Sequence, residues 1–189
     1  MKYDKSALRK IFLLKRKNKY SKIKKINFNV IFKLIKKIFK NKKVVIAGYY
    51  PSNYEVNILD FLKKASEKRF KIALPIIHPS NKMSFNSWIF KEPLNISKFG
   101  TLEPQKTNKE IIPDLIMVPL VAFDKKLNRI GYGKGYYDRS LQVIKKKRKK
   151  TISLGIAYSF QKCIGIPINK YDYRLDYILT EYGIIKSNY

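Results

Sequence analysis

The stretch Arg129–Arg139, RIGYGKGYYDR, holds the residues of this chain best suited to chemistry. Gly131, Gly133 and Gly135 alternate through it, after an apolar run and a turn at 124–128 and before a helical pattern. Glycine permits positive φ and lets a backbone approach a ligand with no Cβ in the way. The amide N–H groups of such a loop, continued by the amino end of a helix, attract anions and phosphates above all. Arg129 and Lys134 put cations where phosphate oxygens would sit. Asp138 adds a carboxylate one turn into the helix, placed to hold a divalent metal beside those phosphates. The pattern is not GxxxxGK[ST], because Lys134 is followed by Gly135, nor GxGxxG, because its spacing is GxGxG. A plain glycine-rich turn would account for the glycines alone. It has no need of Arg129, Lys134, the paired Tyr136 and Tyr137, and Asp138 as well.

Holding such a loop requires strands before it and a helix after it. Lys43–Tyr49 (KVVIAGY), Lys71–Ile77 (KIALPII), Asp114–Leu120 (DLIMVPL) and Thr151–Ala157 (TISLGIA) are continuous apolar runs of strand length, as expected where both faces of a strand are covered. Met83–Phe90 reads as a further strand, and Leu175–Glu181 with Gly183–Ile185 as a closing pair. Glu55–Arg69 and Gly135–Lys150 read as helices, and Lys91 to Pro113, with four Pro or Gly, as loop with short strand pieces. Strand–helix–strand repetition predicts a single-domain, three-layer α/β fold: an open, largely parallel sheet with helices on both faces. Two helical stretches precede it. Asp4–Lys17 carries Ala7, Leu8, Ile11 and Leu14 at helical spacing, and Asn27–Lys40 carries Phe28, Ile31, Ile35, Ile38 and Phe39 on one face, with Asn27 as N-cap. Residues 1–42 are therefore expected to pack as helices on a core of residues 43–189, with the phosphate loop at 129–138.

Composition narrows the chemistry further. Of 189 residues, 45% are hydrophobic and 14% aromatic, enough for a sizeable core. A single cysteine, Cys163, excludes a disulfide scaffold, and a single histidine, His78, excludes any mechanism needing two imidazoles. No apolar run approaches the ~20 residues of a membrane span, and the first residues contain no secretion-type apolar stretch. The expected setting is the cytoplasm, without a membrane partner, and the expected state a monomer. Lys and Arg number 42 against 13 Asp and Glu, a formal charge of +29, which attracts polyanions. The lysines occur along the whole chain rather than on one motif, and Lys145–Lys150 (KKKRKK) ends a helix, where cations suit the dipole. This distribution reads as compositional drift, and no nucleic-acid partner is expected, since no helix-turn-helix, OB-fold or RNA-recognition signature is present.

Taken with the preceding DLIMVPLVAFDKKLN, the stretch RIGYGKGYYDR resembles the signature region of the 5-formyltetrahydrofolate cyclo-ligases, also called methenyltetrahydrofolate synthetases. The likeness is collinear over nearly the whole chain. KSALR at Lys5–Arg9, Tyr50–Pro51 with Glu55, Leu74–Pro75, Met83–Phe85, Glu103–Pro104, Gly155–Gln161 (GIAYSFQ) and Asp172–Glu181 (DYRLDYILTE) are similar to the family's successive landmarks. Leu120 departs from them, standing where a glycine is common, and is expected to narrow the pocket.

The resemblance implies a Rossmann-like architecture akin to the ribose-isomerase and CoA-transferase folds. It implies an ATP- and Mg²⁺-dependent closure of 5-formyltetrahydrofolate to 5,10-methenyltetrahydrofolate with release of ADP and phosphate. Positioning and charge neutralisation carry such a phosphoryl transfer, so one histidine and one cysteine suffice. By the same resemblance, Lys5, Ser6, Ala7, Leu8 and Arg9 bind ATP together with Arg129, Ile130, Gly131, Tyr132, Gly133, Lys134, Gly135, Tyr136 and Tyr137. Arg129, Lys134 and Asp138 are the expected catalytic residues, and Tyr50 and Glu55 the expected folate contacts. Mg²⁺ falls to Asp138 and Asp172, with Asp176 as the alternative to the latter. A relative redirected to bind nucleotide or folate without turnover is the competing reading, with a basic nucleic-acid binder behind it.

Overall fold

The computed structural model describes residues 4–20, 25–40, 42–79, 81–98, 100–107 and 109–187. Helices α1 (Lys5–Lys19) and α2 (Asn29–Phe39) come first, followed by strand β1 (Val45–Ala47) and helix α3 (Leu59–Glu67). Strands β2 (Lys71–Ile77) and β3 (Met83–Ser87) form an antiparallel pair, and β4 (Asn95–Ile96) and β5 (Leu102–Glu103) a small hairpin outside the sheet. Strand β6 (Leu115–Pro119) re-enters the sheet, and β7 (Ala122–Phe123) with β8 (Arg129–Ile130) makes a second small hairpin. Helix α4 (Tyr136–Lys147), β9 (Ile152–Ile156), β10 (Tyr177–Thr180) and β11 (Gly183–Lys186) complete the chain.

The main sheet runs β11-β10-β9-β6-β1-β2-β3. Its five inner strands are parallel, and only the edge strands β11 and β3 run antiparallel. Alternation along each inner strand feeds two cores. Leu115 and Met117 face one side, where Ile31, Ile35 and Phe39 of α2 and Phe61, Leu62 and Ala65 of α3 cover them. Ile116 and Val118 face the other, where Leu141 of α4 lies. The sequence expectation of a three-layer fold with helices on both faces holds, because runs apolar at every position have to be covered twice. Glycine serves the packing at one point in particular: a Cβ on Gly155 would lie 2.7 Å from Leu175 Cδ1 and 2.8 Å from Leu120 Cδ2.

Four local expectations change. Helix α1 docks through Leu8, Phe12 and Arg16, four residues apart, against Val121, Ala122, Ile130 and Ile166, while Ile11 and Leu14 stay 40% and 61% exposed. Hydrophobicity alone selects the wrong stripe here, since one of the inward residues is an arginine. Helix α3 starts at Leu59, not at Glu55: Asn53 and Tyr54 take positive φ, and the Asn57 side chain accepts the Leu59 N–H at 2.9 Å. Leu120 is 1% exposed and packs in the α4-side core, so it fills space behind the cavity described below rather than narrowing it. The N-cap of α2 is Phe28, not Asn27 as expected; the Asn27 Oδ1 accepts the Asn29 N–H at 3.1 Å from one residue further out.

Candidate active site

Strand β1 lies between β6 and β2 in the parallel set; from it the chain first builds β2 on one side and later β6 on the other. Ligands of open α/β sheets sit outside the carboxyl ends of the strands at such a switch point. A cavity of about 590 Å³ opens there, lined by Tyr49 and Tyr50 after β1, Pro75 and Ile77 of β2, and Pro119 ending β6. Helix α1 and the loop between β8 and α4 form further parts of its wall through Lys5, Arg9 and residues 129–139.

The loop is held open by its glycines and by α1. Gly133 and Gly135 adopt φ +96° and +67°, which side-chain-bearing residues rarely take. The Arg9 guanidinium lies 3.3 Å from where a Cβ of Gly133 would be, and its Nε donates to the Gly131 carbonyl at 2.8 Å. Gly135 is the N-cap of α4 and supplies no side-chain cap, so the amino end of that helix faces the loop uncapped, as an anion site requires. Arg129, 8% exposed, donates to Asp138 Oδ1 at 2.8 Å, and the Lys134 ammonium has no hydrogen-bond or ion-pair partner among the described residues. Every loop residue singled out from the sequence, 129 through 138, lines the cavity, as do Lys5, Arg9, Tyr50, Glu55 and Asp172. Ser6, Ala7 and Leu8 do not: Ser6 is exposed, the Ala7 N–H is taken by the Asp4 carboxylate at 2.7 Å, and Leu8 is buried against the β7–β8 hairpin.

Two carboxylates stand with the cations. Asp138 Oδ1 also accepts the Tyr173 N–H at 3.1 Å, which brings the loop ending in Asp172 beside it. Asp172 Oδ2 is ion-paired with Lys5 and accepts the Asn169 N–H at 2.6 Å. Asp138 Oδ2 and Asp172 Oδ1 take no hydrogen bond among the described residues. Hard carboxylate oxygens of this kind suit Mg²⁺, which commonly takes one or two carboxylates and completes its shell with waters and substrate phosphates. A self-sufficient cage is absent: no three potential ligands cluster among the described residues. Asp176 lies apart from the cavity, accepting from Ser153 N–H and Oγ–H at 2.8 and 2.7 Å and pairing with Lys145.

The remaining wall is aromatic and acidic. Glu55 is 6% exposed in a tight turn, where its Oε2 accepts the Ser52 N–H at 2.9 Å and the Ser52 hydroxyl at 3.3 Å. Burial pushes its carboxyl above the ordinary value, opposed by the Ser52 hydrogen bonds, the Arg16 charge and the Tyr132 hydroxyl. The same burial raises the Tyr132 phenol to about 12 and that of Tyr137 further. Glu103, on β5, is a second buried carboxylate in the cavity, accepting the Ile77 N–H at 3.2 Å, and burial raises it as well. Sequence reasoning noted Glu103 only as half of a Glu-Pro landmark, and it left Arg139 without a role. Arg139 also lines the cavity and braces the loop, donating to the carbonyls of Asn81 and Lys134.

Comparison with known proteins shows the family. The profile of the 5-formyltetrahydrofolate cyclo-ligase family matches residues 1–181. The 5-formyltetrahydrofolate cyclo-ligase of Mycoplasma genitalium is 34% identical over 189 residues, covering 93% of this chain and 97% of its own. That of Haemophilus influenzae is 33% identical over 141 residues, covering 71% and 74%. The solved structure of Aquifex aeolicus 5,10-methenyltetrahydrofolate synthetase superposes with a TM-score of 0.73 at 30% identity, over 98% of this chain and 93% of that one. The Mycoplasma pneumoniae synthetase gives 0.68 at 27% identity, over 94% and 98%. With likeness running from the first helix to the last parallel strand, this chain belongs to the 5-formyltetrahydrofolate cyclo-ligase family.

Proposed function

We propose that the protein closes 5-formyltetrahydrofolate to 5,10-methenyltetrahydrofolate with ATP as co-substrate, and that the residues around the cavity carry the reaction. The observation that carries this reading is that one cavity joins an uncapped helix start and its cationic glycine loop to a buried, hydrogen-bonded carboxylate. The first part suits a triphosphate. The second suits the N–H donors of a pterin, which a carboxylate accepts two at a time.

A formamide oxygen is a poor leaving group until it is phosphorylated. In the proposed course the formyl oxygen attacks the γ-phosphorus and ADP departs. The second folate nitrogen then attacks the formyl carbon, and phosphate leaves with the former formyl oxygen as that nitrogen gives up its proton. Arg129, Lys134 and the amides of the loop neutralise the phosphoryl oxygens, whose charge is the main obstacle. Lys5 and Arg9 bring further cations from α1, with Ser6 to Leu8 supporting them from behind rather than from the cavity wall. Glu55 fixes the pterin, and Tyr50, Tyr136 and Tyr137 supply its aromatic walls. Asp138 and Asp172 would hold Mg²⁺, held in turn by Arg129 and Lys5. When bound, the ion supplies charge neutralisation between phosphate oxygens.

The protein is proposed to act as a cytoplasmic monomer without a nucleic-acid partner; no helix among the described residues is long and apolar enough to cross a membrane. The deciding experiment incubates the purified chain with 5-formyltetrahydrofolate, ATP and Mg²⁺ and follows the near-ultraviolet absorption of the methenyl product. Product that requires both ATP and Mg²⁺ and disappears with Asp138→Asn is expected. A folded wild-type chain that yields none would overturn the reading.

A further inference from the structure

Glu103 takes no part in the reaction proposed above, yet it is a carboxylate only 6% exposed in the wall of the same cavity. A buried carboxylate is expensive unless its oxygens are given donors. One oxygen is provided for: Oε1 accepts the Ile77 N–H at 3.2 Å and the Thr101 hydroxyl at 3.4 Å. The other is not. Glu103 Oε2 takes no hydrogen bond among the described residues, and none of their ion pairs includes Glu103. The side-chain atoms that are both wholly buried and unbonded there are Arg16 Nε and Arg129 Nε, so Oε2 keeps surface of its own. Glu103 lines the cavity with Ile77, Thr101 and Leu102, and that surface opens into it.

We infer that Glu103 is a specificity residue for the reduced state of the folate, its open oxygen accepting the N–H of the pterin's reduced ring. The inference rests on the reading that Glu55 receives the paired pterin donors. Those donors, an amine and the neighbouring ring N–H, lie on one edge of the pyrimidine ring. The reduced ring fused to it has two nitrogens, of which one carries the formyl group and the other a lone N–H. A single open oxygen suits that single donor. Its place is also firm. Oε1 is tied to the main chain of Ile77, the last residue of β2, and the β4–β5 hairpin that carries Glu103 is closed by the Ser97 and Thr101 hydroxyls at 2.7 Å. Glu55 follows β1, the strand beside β2, so two buried carboxylates flank the same end of the sheet in one cavity.

In fully oxidised folate the same ring nitrogen has no hydrogen and is a bare acceptor. An ionised carboxylate only accepts, so Oε2 attracts the reduced ring and repels the oxidised one. Glu103→Gln reverses this. The Ile77 N–H can only donate, so the amide oxygen stays against it and the NH₂ group faces the cavity. In titrations at neutral pH without ATP, this variant should bind 5-formyltetrahydrofolate about tenfold more weakly than the wild type. It should bind fully oxidised folate as well as the wild type or up to about threefold better, so the ratio of the two affinities falls by about tenfold or more. The kcat at saturating substrate should stay within about threefold. Ser97→Ala, which loosens the hairpin from outside the cavity, should leave the ratio unchanged.

A purely structural role would weaken both ligands alike. An unchanged ratio in folded Glu103→Gln therefore overturns the inference, whatever the separate affinities do. If that variant does not fold, Glu103→Asp, whose shorter side chain gives up either the Ile77 bond or the cavity, decides by the same ratio. Glu55→Gln is the control that separates the two ideas. If it leaves binding of 5-formyltetrahydrofolate unchanged, the assignment of Glu55 falls and the role of Glu103 falls with it. If it weakens binding while Glu103→Gln leaves the ratio as it was, the role of Glu103 falls alone.

Discussion

The two ends of the cavity solve the problem of buried charge differently. At the end with the glycine loop, Arg129 is paired with Asp138 and Lys5 with Asp172, so these two cations meet anions inside the same wall, while Arg9 donates to the Gly131 carbonyl. At the other end, Glu55 and Glu103 meet no cation at hydrogen-bonding distance among the described residues and rely on N–H and hydroxyl donors. Burial raises both carboxyls as a result. In the proposed reaction the first end would have to rearrange its charges to admit a triphosphate and its metal. The second is set before any ligand enters, and acid disturbs it.

This contrast can be tested from its strongest consequence downward. Chelating Mg²⁺ should abolish turnover reversibly, and Asp138→Asn should lower kcat/KM by about 100-fold or more in the absorbance assay, since it removes charge where the phosphoryl transfer is proposed. Glu55→Gln should raise the KM for 5-formyltetrahydrofolate by roughly 10- to 100-fold and leave the KM for ATP nearly unchanged, the loss expected for a charge-assisted hydrogen bond. If both KM values rise together, the two ends are not separate. Lys134→Ala should do the reverse, raising the KM for ATP by about tenfold. Its melting temperature should scarcely move, because the ammonium has no partner to lose.

The smallest effect concerns acid. The folded-state value of Glu103 is raised, so the folded chain takes up its proton first. Relative to Glu103→Gln, the wild type should gain stability as pH falls through that raised value, with the gain complete below the ordinary value of 4.5. Thermal melts across pH that show a loss instead would place Glu103 among the paired acids.

Much of this organisation could be read from the chain alone, and the exceptions share a cause. Runs such as KIALPII and DLIMVPL announce strands covered on both faces, and RIGYGKGYYDR announces a loop that must approach an anion. These signals are local, because the residue types themselves carry the constraint. The docking face of α1 is not local. Leu8 and Phe12 are joined there by an arginine whose burial depends on Leu120 and Tyr132, more than 100 residues away. The turn that seats Glu55 escaped for a related reason: Asn53 and Tyr54 adopt positive φ although neither is glycine, so no residue type marks the break before α3. Leu120 looked like an intrusion into the pocket and instead fills the gap beside Gly155, a contact that only the pairing of β6 with β9 creates.

The Lys5–Asp172 pair joins residues 167 positions apart. A ribosome adding about 5–20 residues per second needs about 8–33 s to make the segment between them. The β2–β3 and β10–β11 hairpins pair neighbours in sequence and can form as soon as they emerge. Helix α1 must wait for the β7–β8 hairpin before Leu8 and Phe12 are covered, and longer still before Lys5 meets its acid. Refolding should therefore restore helical signal well before it restores turnover, and ATP bound as proposed, against both Lys5 and the segment around Asp172, should speed the final step.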